Sequence, residues 1–425
     1  MGAYLSSPSL TKETSSGTCP NPTNKSSIVT WSATSMQGWR KTMEDAHITT
    51  TSCPSTSGTN DTMVFSVFDG HGGSEVALFC EKHFVEELVK RKEWKEGDVG
   101  KSLVETFHKL DEMVDSSEYR EELSRLTNGN KNKPQGGAGE EGDGEERIST
   151  ANAIDLFQKL LTMSKDKEGK EDDDETSKDK AEAPSTLLPS ETSAPPSETS
   201  SFSPAPPSVG RQRVLSTSVS GINPRTGRQE CLLPDHPVHA GCTSVVVVVN
   251  GTTITVANAG DSRAVMMRKD DEVFPLSYDH KPSDEIESTR INGAGGFVNQ
   301  FGRVNGNLNL SRSIGDLKYK QNVEVAREQQ MITAEPDLIT VEMLPDDEFI
   351  VVGCDGIWDC LTNEECCQFV KTRIDEMTPA KIIEECLDTI VSEDPRATQG
   401  IGGDNMSLLL IDLRSETREV NKKKD

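Results

Sequence analysis

Long apolar runs are the first thing this sequence lacks. No stretch approaches the roughly 18 uninterrupted apolar residues of a membrane-spanning helix, and the polar N-terminus has no signal-peptide core. An intracellular chain is the expectation. Aromatic residues are scarce at 5%, and only 33% of the 425 residues are hydrophobic. Part of the chain is therefore expected to stay outside any core. Positive charge is also short: 45 Lys and Arg stand against 71 Asp and Glu, a net charge of -26. Such an anion is a poor partner for nucleic acid or anionic lipid, so cations and basic segments fit better. The ten cysteines include the adjacent Cys366 and Cys367 but no CxxC pair. Neither a zinc site nor a disulfide framework is suggested, and reduced, mostly buried thiols are expected.

What is present falls into zones. Apolar periodicity alternates with turns over about 28–127, polar low-complexity sequence fills about 128–236, and ordered patterning resumes over about 237–413 before a charged tail at 414–425. The middle zone, with "GGAGEEGDGEE", "KEDDDETSKDK" and "PSTLLPSETSAPPSETSSFSPAPPS", cannot bury enough apolar area to offset chain entropy, so it reads as a long disordered insertion between two halves of one domain. Inside it, "NAIDLFQKLLTM" has helical spacing and reads either as a transient helix or as a docking element. Residues 1–27 read as a leader. Its start, "MGAYLS", fits an N-myristoylation acceptor at Gly2 once Met1 is removed, with a plain disordered leader as the alternative. A single acyl chain would give only reversible membrane contact.

The flanks carry strand and helix signals. "SVVVVVNGTTITVAN" reads as a hairpin turning at Asn250-Gly251, and "LITVEML" with "EFIVVGC" reads as a second apolar pair joined by "PDD". Further strands are predicted at "TMVFSVF", "SRAVMMR" and "NMSLLLIDL". Ser74 is a candidate cap for the helical run "EVALFCEKHFVEELVKRK", and Thr378-Pro379 opens "AKIIEECLDTIVSE". "VGKSLVETFHKLDEMV" and "NEECCQFVKTRIDEM" are patterned alike. The pattern implies an α+β fold with antiparallel sheets inside and helices outside.

Acids recur at strand ends. Asp69 closes "MVFSVF", Asp355 closes "FIVVGC", Asp261 follows "TITVANAG" and Asp404 precedes "MSLLLID". Neighbouring antiparallel strands end and begin on one edge, so these acids can share a rim with Glu44 and Asp45 of "GWRKTMEDAH". Crowded carboxylates repel, and a divalent cation is the usual compensation. Oxygen donors without Cys or paired His favour Mg²⁺ or Mn²⁺. Two such ions about 3.5 to 4 Å apart can activate a bridging water for hydrolysis. Each acid taken alone reads as a turn residue sooner than as a ligand, and His71 and Arg40 alone as ordinary surface, hydrogen-bonded or ion-paired groups; their joint recurrence at strand ends is what points to a site.

"GWRKTMEDAH", "VFDGHGG", "ANAGDSRAV", "DHKP", "GRVNGNLNLSRSIGD", "CDGIWD" and "GGDNMSLLLI" occur here in the order of the metal-dependent serine/threonine phosphatases of type 2C, which both flanks resemble. Within that family the "MGAYLS" start and the interrupted domain most resemble the gamma isoform, although this insertion mixes its acids with Lys, Pro and Ser. The resemblance implies a four-layer α-β-β-α sandwich with a two-metal Mg²⁺/Mn²⁺ centre. Asp69 would bridge the metals, the Gly70 carbonyl, Glu44, Asp355 and Asp404 would complete their ligands, and Asp45 would act through metal-bound water. Asp261 and Asp359 match a weaker third metal position. Arg40 would hold the substrate phosphate, and a bridging hydroxide would attack without a phosphoenzyme while His71 protonates the leaving oxygen. His47 carries no chemical role in the motif. Lys281 to Arg303 matches a glycine-bearing, mobile flap that selects substrate. The expected partners are phosphoserine and phosphothreonine proteins, not nucleic acid, met by a monomer in cytoplasm or nucleus, with reversible membrane contact if Gly2 is acylated. A noncatalytic scaffold binding partners through the insertion is the alternative, and a two-metal nuclease is disfavoured by the acidic surface.

Overall fold

The computed structural model describes residues 4–21, 28–54, 62–129, 220–222, 229–231 and 233–414. All of them belong to one compact unit formed by 1–150 and 218–425. Gly2 and the helical stretch "NAIDLFQKLLTM" lie outside the described residues.

In chain order the first strands are β1 (Ser9–Pro20), β2 (Ile28–Gly38), β3 (Ala46–Cys53), β4 (Thr62–Phe68) and β5 (Gly70–His71). Next come β6 (Ser220–Ile222), β7 (Gln229–Cys231), β8 (Gly241–Cys242), β9 (Ser244–Asn250), β10 (Thr253–Ala259), β11 (Arg263–Met267) and β12 (Val273–Pro275). The last are β13 (Ile314–Gly315), β14 (Asp337–Glu342), β15 (Phe349–Gly353) and β16 (Met406–Asp412). The principal helices are α1 (Glu75–Lys90), α2 (Val99–Asp115), α3 (Arg120–Gly129), α4 (Glu285–Gly293), α5 (Asn363–Lys371) and α6 (Pro379–Ile390). Among the described residues, no helix is long and apolar enough to cross a membrane.

A six-stranded sheet runs β1-β2-β16-β15-β11-β12, and a five-stranded sheet runs β14-β10-β9-β4-β3. Their ladders are antiparallel. The sheets face each other through buried side chains, as where Trp31 of β2 meets Phe65 of β4 edge-on with ring centroids 6.2 Å apart. β4, β9 and β15 are buried along their whole length or nearly so, as strands covered on both faces must be. Helices α1 and α2 pack on the five-stranded sheet, while α5 and α6 pack on the six-stranded one. The result is the expected α-β-β-α sandwich, in which burial of each sheet's outer face requires an amphipathic helix.

Several local expectations change. Ser9–Pro20, read as leader, form the edge strand β1, paired with β2 from Pro20↔Ile28 to Ser9↔Gly38. β1 has almost no buried apolar side, which is why periodicity passes over it. Polar pairs hold it instead: Thr14 and Thr34 hydroxyls at 3.0 Å and Ser16 and Ser32 at 2.8 Å. Gly17 lies flat beneath the Trp31 indole, where a Cβ would come within 2.7 Å of the ring's Cε2. "LITVEML" and "EFIVVGC" do not pair. β14 joins β10 in one sheet, whereas β15 sits between β11 and β16 in the other, so the Pro-Asp-Asp turn carries the chain across the sandwich. The valine-rich hairpin forms as read, but Asn250 belongs to β9 and Gly251 opens the two-residue loop with φ 59°, a conformation natural to glycine. Thr378 caps α6 by accepting from the Lys381 N–H, with Pro379 in the first turn. Ser74 makes no such side-chain cap on α1. The short ladder β6-β7 falls within the stretch read as a disordered insertion.

Candidate active site

β4 and β10 both run antiparallel to β9, so their C-terminal ends lie on one edge. Antiparallel pairing of β15 with β16 likewise puts the end of one beside the start of the other. Both sheets therefore deliver strand-end acids to one end of the sandwich. There a cleft of about 480 Å³ is lined by Arg40, Glu44, Asp69, Gly70, His71, Asp261, Arg303, Asp355 and Asp404, together with Tyr4, Thr243 and Asn405.

The acids are poorly compensated. Burial first, and then repulsion from Asp355, Asp45, Asp404 and Asp261, holds the Asp69 carboxyl well above the usual carboxylate range. Asp355 is pushed up in the same way, by burial and then by Asp261 and Asp404. Asp45 lies behind the cleft, accepts from Ser407 Oγ at 2.8 Å, and is raised to about 7, chiefly by burial. Its Oδ1 and the Oδ1 of Asp261 are buried without hydrogen-bond partners. Orphaned anionic oxygens of this kind are costly unless a cation meets them. The donor set, all carboxylate and carbonyl oxygen, suits a hard divalent ion.

Cations of the chain cover part of the rim. Arg40 pairs with Asp404 and stays charged, because the attraction of Asp404 and Asp355 outweighs its burial. Lys281, at the start of the stretch read as a flap, places Nζ 2.7 Å from Asp261 Oδ2 and 3.8 Å from Asp279. Asp359 lines a neighbouring cleft of about 410 Å³ with Arg263, Trp358 and Cys360. Asp261, with Lys281 bonded to it, and Asp359 act on each other electrostatically across the boundary between these neighbouring clefts. Arg303 reaches the main cleft from a loop tied down by its own bonds: Asn299 Oδ1 accepts from the N–H groups of Phe301 and Arg303, both at 2.9 Å. His47 on β3 does not line the cleft, and burial lowers its pKa.

Gly70 is required for a reason sequence did not supply. A Cβ there would run into the Glu44 backbone oxygen, so the glycine lets β5 lie against the Glu44 loop. Asn405 fixes that loop: its Oδ1 accepts from the Glu44 N–H at 3.0 Å, and its Nδ2 donates to Gln37 O and Thr42 O at 2.8 and 3.0 Å. The Glu44 carboxylate in turn accepts from the Gly73 N–H at 3.2 Å. Sequence reasoning missed Asn405 and Tyr4, and also Asp316, whose Oδ2 lies 2.7 Å from His71 Nε2. The signal for Asp316 was its place at the end of "GRVNGNLNLSRSIGD", whose other end supplies Arg303. A separate cluster, His108, Glu328 and Glu335, brings three potential ligand atoms within 4.8 Å of one another. It lies away from the cleft, and its carboxylates already meet Arg327 at 3.0 Å and His108 at 2.5 Å.

A helix-flanked double sheet whose two edges converge on an acidic, oxygen-lined cleft suits a hard divalent cation. The chain belongs to the protein phosphatase 2C family, which it matches over residues 29–130 and 200–396. It is 33% identical over 419 residues to probable protein phosphatase 2C 3 of Paramecium tetraurelia, covering 97% of this chain and all of that one. It is equally similar, at 33% over 418 residues, to probable protein phosphatase 2C 60 of Arabidopsis thaliana, covering 98% and 93%. A crystal structure of a phosphatase from Toxoplasma gondii shares the fold at TM-score 0.53 and 18% identity, over 95% of this chain and 96% of that one.

Proposed function

We propose that this chain hydrolyses phosphoserine and phosphothreonine in proteins with two Mg²⁺ or Mn²⁺ ions held at the acidic rim and no phosphoenzyme. The observation that carries the reading is the cleft itself, where Glu44, Asp69, Asp261, Asp355 and Asp404 from both sheets crowd together beside Arg40. A scaffold has no physical need for such repulsion, so the noncatalytic alternative is not favoured.

Asp69, the Gly70 carbonyl, Glu44, Asp355 and Asp404 would hold the ions, with Asp45 buried behind them. Bound cations would lower the pKa of water and neutralise the phosphoryl oxygens. Arg40 then exchanges its Asp404 contact for the phosphate, which its planar fork of donors can meet at two oxygens. His71 delivers a proton to the departing serine or threonine oxygen, whose alkoxide is otherwise a poor leaving group. Water is the nucleophile because the neighbouring thiols are unreactive: burial pushes Cys360 up to about 12 and Cys354 higher than its usual range. A weaker third ion at Asp261 would have to displace Lys281, so that position is filled last.

Hydrolysis of a phosphothreonine peptide is expected with Mn²⁺ and lost with EDTA or with Asp69→Asn. Activity that survives chelation would sink the two-metal reading. Metal binding without turnover of any phosphopeptide would favour the scaffold. We propose Gly2, in the "MGAYLS" start that resembles gamma-type members, as an acylation site, read by intact mass after co-expression with a myristoyltransferase; an unchanged mass removes that proposal.

A further inference from the structure

Three two-residue strands far apart in sequence meet beside the cleft. β5 pairs with β8 through His71↔Gly241, and β13 pairs with β8 through Gly315↔Gly241. Gly241 thus separates His71 on one side from the residue after Gly315 on the other. That residue, Asp316, is 4% exposed, and its Oδ2 stands 2.7 Å from His71 Nε2. The gap exists only because position 241 has no side chain: a Cβ there would collide with the Asp316 carboxylate and come within 2.8 Å of Nε2.

Asp316 is itself held in place. Its backbone takes the left-handed conformation, φ 51° and ψ 36°, unusual for a residue other than glycine. Its N–H donates to Ala240 O at 3.1 Å, and Ser313 Oγ donates to the same Oδ2 that meets the imidazole, at 2.6 Å. Asp111 secures the strand from outside, accepting from the Gly315 N–H at 2.8 Å and from Lys320 Nζ at 2.6 Å, while Lys320 also donates to Ser313 O. So many fixed partners around one carboxylate go beyond what a surface ion pair needs.

We infer that Asp316 is a positioning residue for His71: it accepts from Nε2–H, locks the ring, and leaves Nδ1 as the atom that gives the proton to the leaving oxygen. A hydrogen bond at one ring nitrogen decides which task the other can perform. The inference rests on the phosphatase reading above. In the step concerned, a bond from water oxygen to phosphorus forms as the P–O bond to the serine or threonine oxygen breaks. That bond's electron pair leaves with the alcohol oxygen, which takes the proton from Nδ1. His71 is left neutral with Nε2–H still on Asp316, and over a turnover the proton lost by the attacking water replaces the one given up.

The test exploits leaving groups. A seryl or threonyl oxygen needs the proton, whereas the nitrophenolate of p-nitrophenyl phosphate departs without one. With the full chain and saturating Mn²⁺, Asp316→Asn is expected to lower kcat on a phosphothreonine peptide by about 10- to 100-fold, the range seen when a supporting partner is removed. On p-nitrophenyl phosphate the loss is expected to be about threefold or less. His71→Ala should show the same split, larger on the peptide, and the double variant should lose little more than His71→Ala alone, as groups acting in series do. Ser313→Ala, which keeps the carboxylate, should show a smaller split in the same direction and covers the case in which Asp316→Asn does not fold. Equal losses on both substrates, or additive losses in the double variant, overturn the inference. If the unaltered chain hydrolyses neither substrate with Mn²⁺, it is the phosphatase reading that fails.

Discussion

Two clusters of buried charge in this molecule have opposite internal economies. In the cleft, Asp69 and Asp355 are surrounded by other acids and held far from their ordinary protonation. Around Glu287 on α4 the signs alternate: its carboxylate meets Arg312 at 2.8 Å and Arg290 at 2.8 Å, and Arg312 continues to Asp337 at 2.6 Å. Here the arginines overcome burial and pull Glu287 down to about 2. Burial alone therefore does not distinguish a functional charge from a structural one. The sign of its neighbours does: the second cluster sets two arginines against two carboxylates, whereas the first has an excess of anions that a cation from outside would balance.

The difference breaks most sharply under substitution. Asp69→Asn is expected to reduce phosphopeptide turnover by about 10³-fold or more, since cation stabilisation of the transition state is worth several kcal/mol. At the same time it should raise the melting temperature of the metal-free protein by about 2 °C, because it removes a repelled charge. A fall in metal-free stability would mean that the rim is already compensated. Glu287→Gln should act in the opposite sense. Leaving Arg290 and Arg312 without their shared partner is expected to cost about 3 kcal/mol in urea unfolding, with kcat changed less than about threefold in the folded fraction. Adding Mn²⁺ at about 100 times its dissociation constant should stabilise the unaltered chain by about 2.7 kcal/mol. That gain should vanish in Asp69→Asn and persist in Glu287→Gln, read as melting shifts with and without the ion.

The two clusters were also unequally legible in sequence. Asp69, Asp355 and Asp404 could be found because each breaks an apolar strand, a local signal, and antiparallel pairing then predicts their shared edge. The Glu287 network and the Asp316–His71 pair were invisible, because they depend on which distant segments meet. Asp316 lies 245 positions from His71, and two-residue strands leave no periodicity to read. The sandwich itself was foreseen from helix and strand patterning, but β1 was not, since an edge strand facing solvent carries polar residues on both sides. Pairing "LITVEML" with "EFIVVGC" failed for a related reason: adjacent apolar runs imply contact in chain order, and only the packing of two sheets decides that β14 and β15 separate. The close approach of Gly70 to the Glu44 backbone was likewise not legible, because it joins two segments that only the fold brings together.

Acid titration sharpens the contrast at the smallest scale. The Glu287 carboxyl is depressed in the folded protein to about 2, against 4.5 as its ordinary value. The stability this contributes is present in full above the unfolded value and is lost as pH falls from there through the folded one, because the unfolded chain takes up its proton first. Urea midpoints of the unaltered chain should therefore drop between about pH 5 and pH 2, and part of that drop should be missing in Glu287→Gln. The arginines on either side keep their charge throughout, so the missing part belongs to this one carboxylate. If the variant and the unaltered chain lose stability in parallel over that range, the ion network around α4 contributes nothing that depends on Glu287 being charged, and the contrast with the cleft reduces to geometry alone.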